Sequence, residues 1–285
     1  MKYVLWVLTS VFLFPLFKLH AEETPSFKQL NSLFGINIFQ DDSLWDDTDS
    51  DVADRLGWPM ESRTTTQASF RYYPSSEYTV LDTQSYTAVL YSIEGKPTQL
   101  SLMFTNKGDY EEFINNDYPS KDQIGRFIDA LDDEADEIED RIKNVLGKSE
   151  RGKLGKGKRL RERVDRWNWN GHAIMLSVQD EEYVAVRITT EEFADNAGKV
   201  ARSSDDEIKE ILENRVVRRE NGDVVVSEIP MADQGPKGYC VPATWERYLR
   251  YLNIPADMYV LARAGSSGYG GGTILSVIAE AVEDI

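Results

Sequence analysis

Cysteine and histidine are nearly absent from this chain, which has one cysteine, Cys240, and two histidines, His20 and His172, among 285 residues. One cysteine excludes an internal disulfide. Scarce histidine removes the usual general base and metal ligand from most of the sequence. Positive charge is also in deficit: 49 Asp and Glu outnumber 32 Lys and Arg, for a formal net charge of −17. That balance argues against a nucleic-acid partner, because phosphate recognition needs a basic face. After residue 17 no apolar run is long enough to cross a membrane. What is present suffices for packed cores, with 41% hydrophobic and 11% aromatic residues. The length fits one large domain or two ordinary ones.

The start of the chain reads as an export signal over residues 1–21. Lys2 gives the positive start, Tyr3 to Phe17 is apolar apart from Thr9 and Ser10, and Ala21 precedes Glu22 and Glu23. This predicts a periplasmic or extracellular protein with no integral span once the signal is removed. Lys18 after the run keeps an uncleaved anchor as the alternative. In an exported protein a lone thiol is either buried and inert, or reactive.

Residues 22–225 read as an α+β domain of hairpins and one long helix, with no function written in them. Asp47, Asp49 and Asp51 copy the first ligands of a calcium loop, but the glycine position is Val52 and the closing glutamate position is Trp58. Thr66 to Tyr73 is strand-like. Ser85–Ile93 and Thr98–Phe104 flank a turn at Glu94–Pro97, and Ala173–Val178 pairs with Tyr183–Thr189. Asn221-Gly222 marks a further hairpin. Ser120 with Gln123 forms a capping box for a helix whose stripe runs Ile124, Ile128, Leu131, Ala135, Ile138, Ile142 and Val145, stopping at Gly147. Ser149 to Arg166 is basic and follows the acidic stretch Asp132–Asp140, which predicts internal charge balance, with a polyanion contact as the alternative. Gly147-Lys148-Ser149 is not a phosphate loop, since its first glycine would be Ile142.

The chemistry concentrates in Asp-Gln-Gly-Pro-Lys-Gly-Tyr-Cys-Val-Pro-Ala-Thr-Trp, residues 233–245. Pro242 is tolerated only in a first helical turn, Trp245, Leu249 and Leu252 repeat along one face, and Asn253 with Pro255 ends the run. A helix therefore opens at or beside Cys240. Unpaired N–H groups and the helix dipole at such a start favour thiolate, the attacking form of cysteine. Gln234, six positions upstream, can bring a side-chain amide to an oxyanion beside the backbone N–H of Cys240, because Gly235, Pro236 and Gly238 permit a tight loop.

This stretch, with Tyr248–Pro255 and Gly272-Thr273, resembles the bacteriocin-processing (C-39-like) type of papain-like cysteine peptidase and its exported relatives. The resemblance covers residues 226–285. It implies the first, helical half of a papain-like domain, a Cys–His–Asp or Asn triad, and hydrolysis of peptide bonds in a peptide or protein substrate. By position Cys240 would be the nucleophile and Gln234 the oxyanion donor, while Val241 stands where many members have glycine. The glycine-rich stretch Gly265–Thr273 would lie near the substrate cleft, with Thr273 capping the next helix. No cofactor or metal is implied.

The implied histidine and carboxylate belong downstream, and no histidine follows Cys240. The expectation is a fragment of a longer product. His172 begins a strand after Gly171, a setting suited to a base, but its use would need a permuted domain or a partner chain. Two other readings stand beside the peptidase: a non-catalytic envelope binding module, and an amide or acyl transferase using the same thiolate.

Overall fold

Two antiparallel meanders joined side by side organise the chain. The computed structural model describes residues 24–114, 116, 118–199, 204–269 and 272–282. The residues read as a signal, 1–21, lie outside them. The fold is mixed α/β, with 37% of the described residues helical and 27% in strands. It opens with α1 (Phe27–Phe34), α2 (Asp49–Leu56), β1 (Met60–Arg63), β2 (Gln67–Tyr72), β3 (Thr79–Val80), β4 (Thr83–Gln84), β5 (Thr87–Ile93) and β6 (Lys96–Asn106). Then come α3 (Lys121–Leu146), β7 (Glu150–Leu154), α4 (Gly157–Leu160), β8 (Glu162–Trp169), β9 (His172–Gln179) and β10 (Tyr183–Thr190). The chain continues through α5 (Glu191–Asp195), α6 (Asp205–Asn214), β11 (Val216–Arg218) and β12 (Val224–Val226). Last are α7 (Cys240–Tyr251), α8 (Met258–Ala264) and α9 (Leu275–Val282). None of the described helices is long and apolar enough to cross a membrane.

The main sheet has eight strands in the order β1-β2-β5-β6-β10-β9-β8-β7, with every neighbouring pair antiparallel. Each meander supplies four strands, and β6 meets β10 in the middle. Helix α3 makes the crossover between them. Its capping box forms as the sequence predicts: the Ser120 hydroxyl accepts from the Gln123 N–H while the Gln123 side chain reaches back to Ser120. Gly147 closes the helix at φ 77°, donating to Lys143 O. The buried stripe is Phe127, Leu131, Ala135, Ile138 and Ile142, so Phe127 replaces the expected Ile124 and Ile128, which are half-buried.

Strand alternation divides the interior between two faces. One face packs Leu90, Leu102, Ile174, Leu176, Val184 and Val186 against Leu30 and Phe34 of α1, Val52 of α2 and the α3 stripe. The other face is more polar. Met103, Tyr183 and Ala185 there meet Tyr239, Ala243, Met258, Tyr259 and Ala262. Buried Ser69, Arg71, Thr87, Ser101 and Arg187 lie on the same side of their strands. The chain after position 225 therefore builds its layer on the sheet made by the chain before it. Three hydrogen bonds run it along the β1 edge: Thr65 N–H to Glu228 Oε2 (2.6 Å), Met231 N–H to Ser62 Oγ (2.9 Å) and Asp233 N–H to Glu61 Oε1 (2.6 Å).

The basic stretch 149–166 forms β7, α4 and most of β8, elements its charge pattern concealed. No described ion pair joins its bases to the acidic run 132–140. Asp47 pairs with Arg55, and Asp49 pairs with Arg63 and accepts from Ser92 Oγ at 2.7 Å.

Candidate functional site

Cys240 is the first residue of α7 and is solvent-exposed. Pro242 sits in the first turn, where its missing N–H breaks no helical bond. Ala243 N–H donates to Tyr239 O (2.9 Å) and Thr244 Oγ1 donates to Cys240 O (2.7 Å), closing the turn around the cysteine. Asn253, at φ 60°, ends the helical stretch in the left-handed region as expected.

The loop before Cys240 is fixed to the sheet at several points. The Tyr73 hydroxyl donates to Asp233 O. Gly235 takes φ 66° and lies so close to the Tyr73 ring that a Cβ there would sit 2.9 Å from it. Lys237 is buried, its ammonium 3.0 Å from Asp109 Oδ2 and 4.6 and 5.5 Å from the ring centroids of Tyr73 and Tyr259. The contact is an ion pair supported by two aromatic faces. Burial pushes the Lys237 amine below its ordinary pKa, and Asp109 works against that shift. The hydroxyl end of the Tyr239 ring lies against Gly108, where a Cβ would come within 2.8 Å of it.

Gln234 lies in this pinned loop, half-exposed, and no hydrogen bond among the described residues joins its amide to Cys240. The glycine-rich stretch does reach the loop, since Gly272 N–H meets Gly238 O at 3.5 Å. Thr273 does not act there as the expected cap among the described contacts; its hydroxyl bonds Ser267 at 2.7 Å.

The inner face of α7 holds what the sequence did not disclose. Pro242, Ala243, Glu246, Leu249, Arg250 and Tyr251 are buried, whereas Trp245 is half-buried and Tyr248 exposed. The apolar face expected through Trp245 is thus rotated toward Glu246. Glu246 accepts from Arg71 Nη2 (2.7 Å), Tyr91 Oη (3.2 Å) and Met258 N–H (2.9 Å), and Arg250 lies 3.4 Å away. Arg71 in turn donates to Glu61 at 2.6 Å. Burial raises the Glu246 pKa, opposed by Arg71 and Arg250. The spacing Ala243, Glu246, Arg250 along one helical face was the available signal.

His172 lies on the opposite face of the sheet from α7. Its ring packs 5.1 Å from Phe39, 5.3 Å from Trp45 and 5.2 Å from Trp169, and Nδ1 meets Trp169 O at 3.0 Å. Burial pushes its pKa down. The sheet therefore separates it from Cys240, and the permuted pairing does not form. No group of three or more potential metal ligands occurs among the described residues.

Chemically, the site offers an exposed thiol at a helix start, after a loop held to the sheet by several contacts. The chain matches no family model, no curated protein and no solved structure.

Proposed function

We propose that the chain is an exported, thiol-dependent amide hydrolase of the papain-like kind, with Cys240 as nucleophile. The observation that carries this is the exposed Cys240 at the first position of α7, on a loop held by Tyr73, Lys237 and Tyr239. The thiolate attacks a peptide carbonyl carbon, and a thioester forms as the C–N bond breaks and the amine leaves with a proton. Water then releases the acid and restores the thiol. In this reading Gln234 and the Cys240 N–H are the two oxyanion donors. No histidine among the described residues stands beside Cys240 to carry the proton.

The sealed position of His172 favours one other reading, a binding module that keeps the helix and loop without catalysis. Alkylation by iodoacetamide separates the two. A catalytic Cys240 reacts at slightly acidic pH at least about tenfold faster than free cysteine, whose thiolate is then scarce. A rate equal to that of free cysteine, with no peptide cleavage abolished by Cys240→Ala, would sink the hydrolase.

A further inference from the structure

Positive charge is scarce in this protein yet concentrated in one place. Arg151, Lys153, Lys156, Lys158, Arg161 and Arg163 are all exposed, and none forms a salt bridge among the described residues. Arg159, in the same stretch, reaches only the exposed Glu280 at 3.5 Å. One of its acids, Glu162, points inward to Arg187 at 2.6 Å. Of the other two, Glu150 lies across from Arg166 and Asp165 across from Arg151 in the strand register.

The arrangement is unfavourable for the protein alone. Lys153 stands directly opposite Arg163 in the β7–β8 ladder, and like charges in that position destabilise a strand pair. Charged residues on an edge strand deter unwanted pairing, which accounts for Arg151 and Lys153 on β7. It does not account for Arg163 on the inner strand β8, nor for Lys156, Lys158 and Arg161 in the turn. An anionic partner would relieve all of them.

The neighbouring element indicates which partner. Helix α4, inside the basic turn, packs against α9. At the entrance to α9, Ile274 is 57% and Leu275 63% exposed. Clustered bases around α4, with exposed aliphatics at the start of the helix packed against it, match an anionic lipid surface, where phosphates meet the bases and the aliphatics enter the interface. A nucleic-acid backbone offers the aliphatics nothing comparable.

We propose that the β7–α4–β8 turn, with Ile274 and Leu275, docks the protein on an anionic phospholipid surface. The rest of the molecule is strongly acidic and turns away from the headgroups, so the charge asymmetry also fixes the orientation. The inference does not depend on the chemistry of Cys240.

Flotation of the full chain with vesicles tests it, comparing equal parts phosphatidylglycerol and phosphatidylcholine with phosphatidylcholine alone. The apolar run near the N-terminus can engage either vesicle, so the readout is the gain in binding due to phosphatidylglycerol. The gain falls about 100-fold in the triple variant Lys156→Glu, Lys158→Glu, Arg161→Glu, disappears at high salt, and survives Lys156→Arg with Lys158→Arg. Should the triple variant fail to fold by circular dichroism, Lys156→Ala and Lys158→Ala decide instead, each lowering the gain about fivefold. Equal binding to both vesicles, a gain untouched by these variants, or tighter binding to a DNA duplex than to the anionic vesicles overturns the proposal.

Discussion

Arg71 of β2 donates to Glu246 of α7 at 2.7 Å, and both side chains are withdrawn from solvent. This contact joins the helix that begins with Cys240 to the first meander of the sheet. Removing one member of a buried ion pair leaves the other charge uncompensated, a loss of about 3–5 kcal/mol. Glu246→Ala also strips the acceptor from Met258 N–H at the start of α8. Urea unfolding should therefore place Glu246→Ala about 3–5 kcal/mol below wild type. A loss under about 1 kcal/mol would mean that α7 is held by its apolar contacts alone.

Glu134 gives a pH dependence of definite sign. Burial holds its carboxyl at about 7 against an ordinary 4.5, although it accepts the Thr105 N–H at 2.7 Å. The folded protein thus keeps a proton that the unfolded chain has released. Its stabilising effect is full below pH 4.5 and fades as pH rises through about 7. Allowing for partial exposure, the change is roughly 2 kcal/mol. Glu134→Gln should remove that slope in unfolding experiments from pH 4.5 to 8, and an unchanged slope would contradict the assignment.

His172 acts in the reverse direction. Burial lowers its pKa, so the unfolded chain takes up a proton that the folded protein refuses, and stability falls as pH drops below 6.5. His172→Phe keeps an aromatic ring among Phe39, Trp45 and Trp169 and has nothing to titrate. The variant should lose the acid-induced decline while leaving Cys240 alkylation unchanged. Altered alkylation would connect the two faces of the sheet after all.

Local signals were legible and distant ones were not. The Ser120–Gln123 box, Gly147, the Asn221-Gly222 turn and Pro242 each act within a few residues, and α3, the β11–β12 hairpin and α7 form where they indicate. Strands β7 and β8 hid behind their charges. Glu162 is buried because Arg187 and Tyr183, far along the chain, bond to it, and no window of the β8 sequence contains them. Glu246 was hidden in the same way, since Arg71 and Tyr91 come from the first meander, more than 150 residues earlier. Spacing singled out Gln234 and Cys240, but their common support, the cage of Tyr73, Tyr259 and Asp109 around Lys237, is assembled from four separate segments.

That support makes Gly235 the most informative position near the cysteine. Alanine there faces backbone strain at φ 66° and a Cβ only 2.9 Å from the Tyr73 ring, which itself packs on Lys237. Gly57 is the matched control, with φ 70° and no heavy atom within 4 Å of a built Cβ. Each variant carries the left-handed strain of about 1–2 kcal/mol. Only Gly235→Ala also displaces Tyr73, adding about 1–3 kcal/mol of overpacking and moving the loop that ends at Cys240. Iodoacetamide should accordingly modify Cys240 at a changed rate in Gly235→Ala and at the wild-type rate in Gly57→Ala. Identical rates in all three proteins would show that the pinned loop does not set the environment of the thiol.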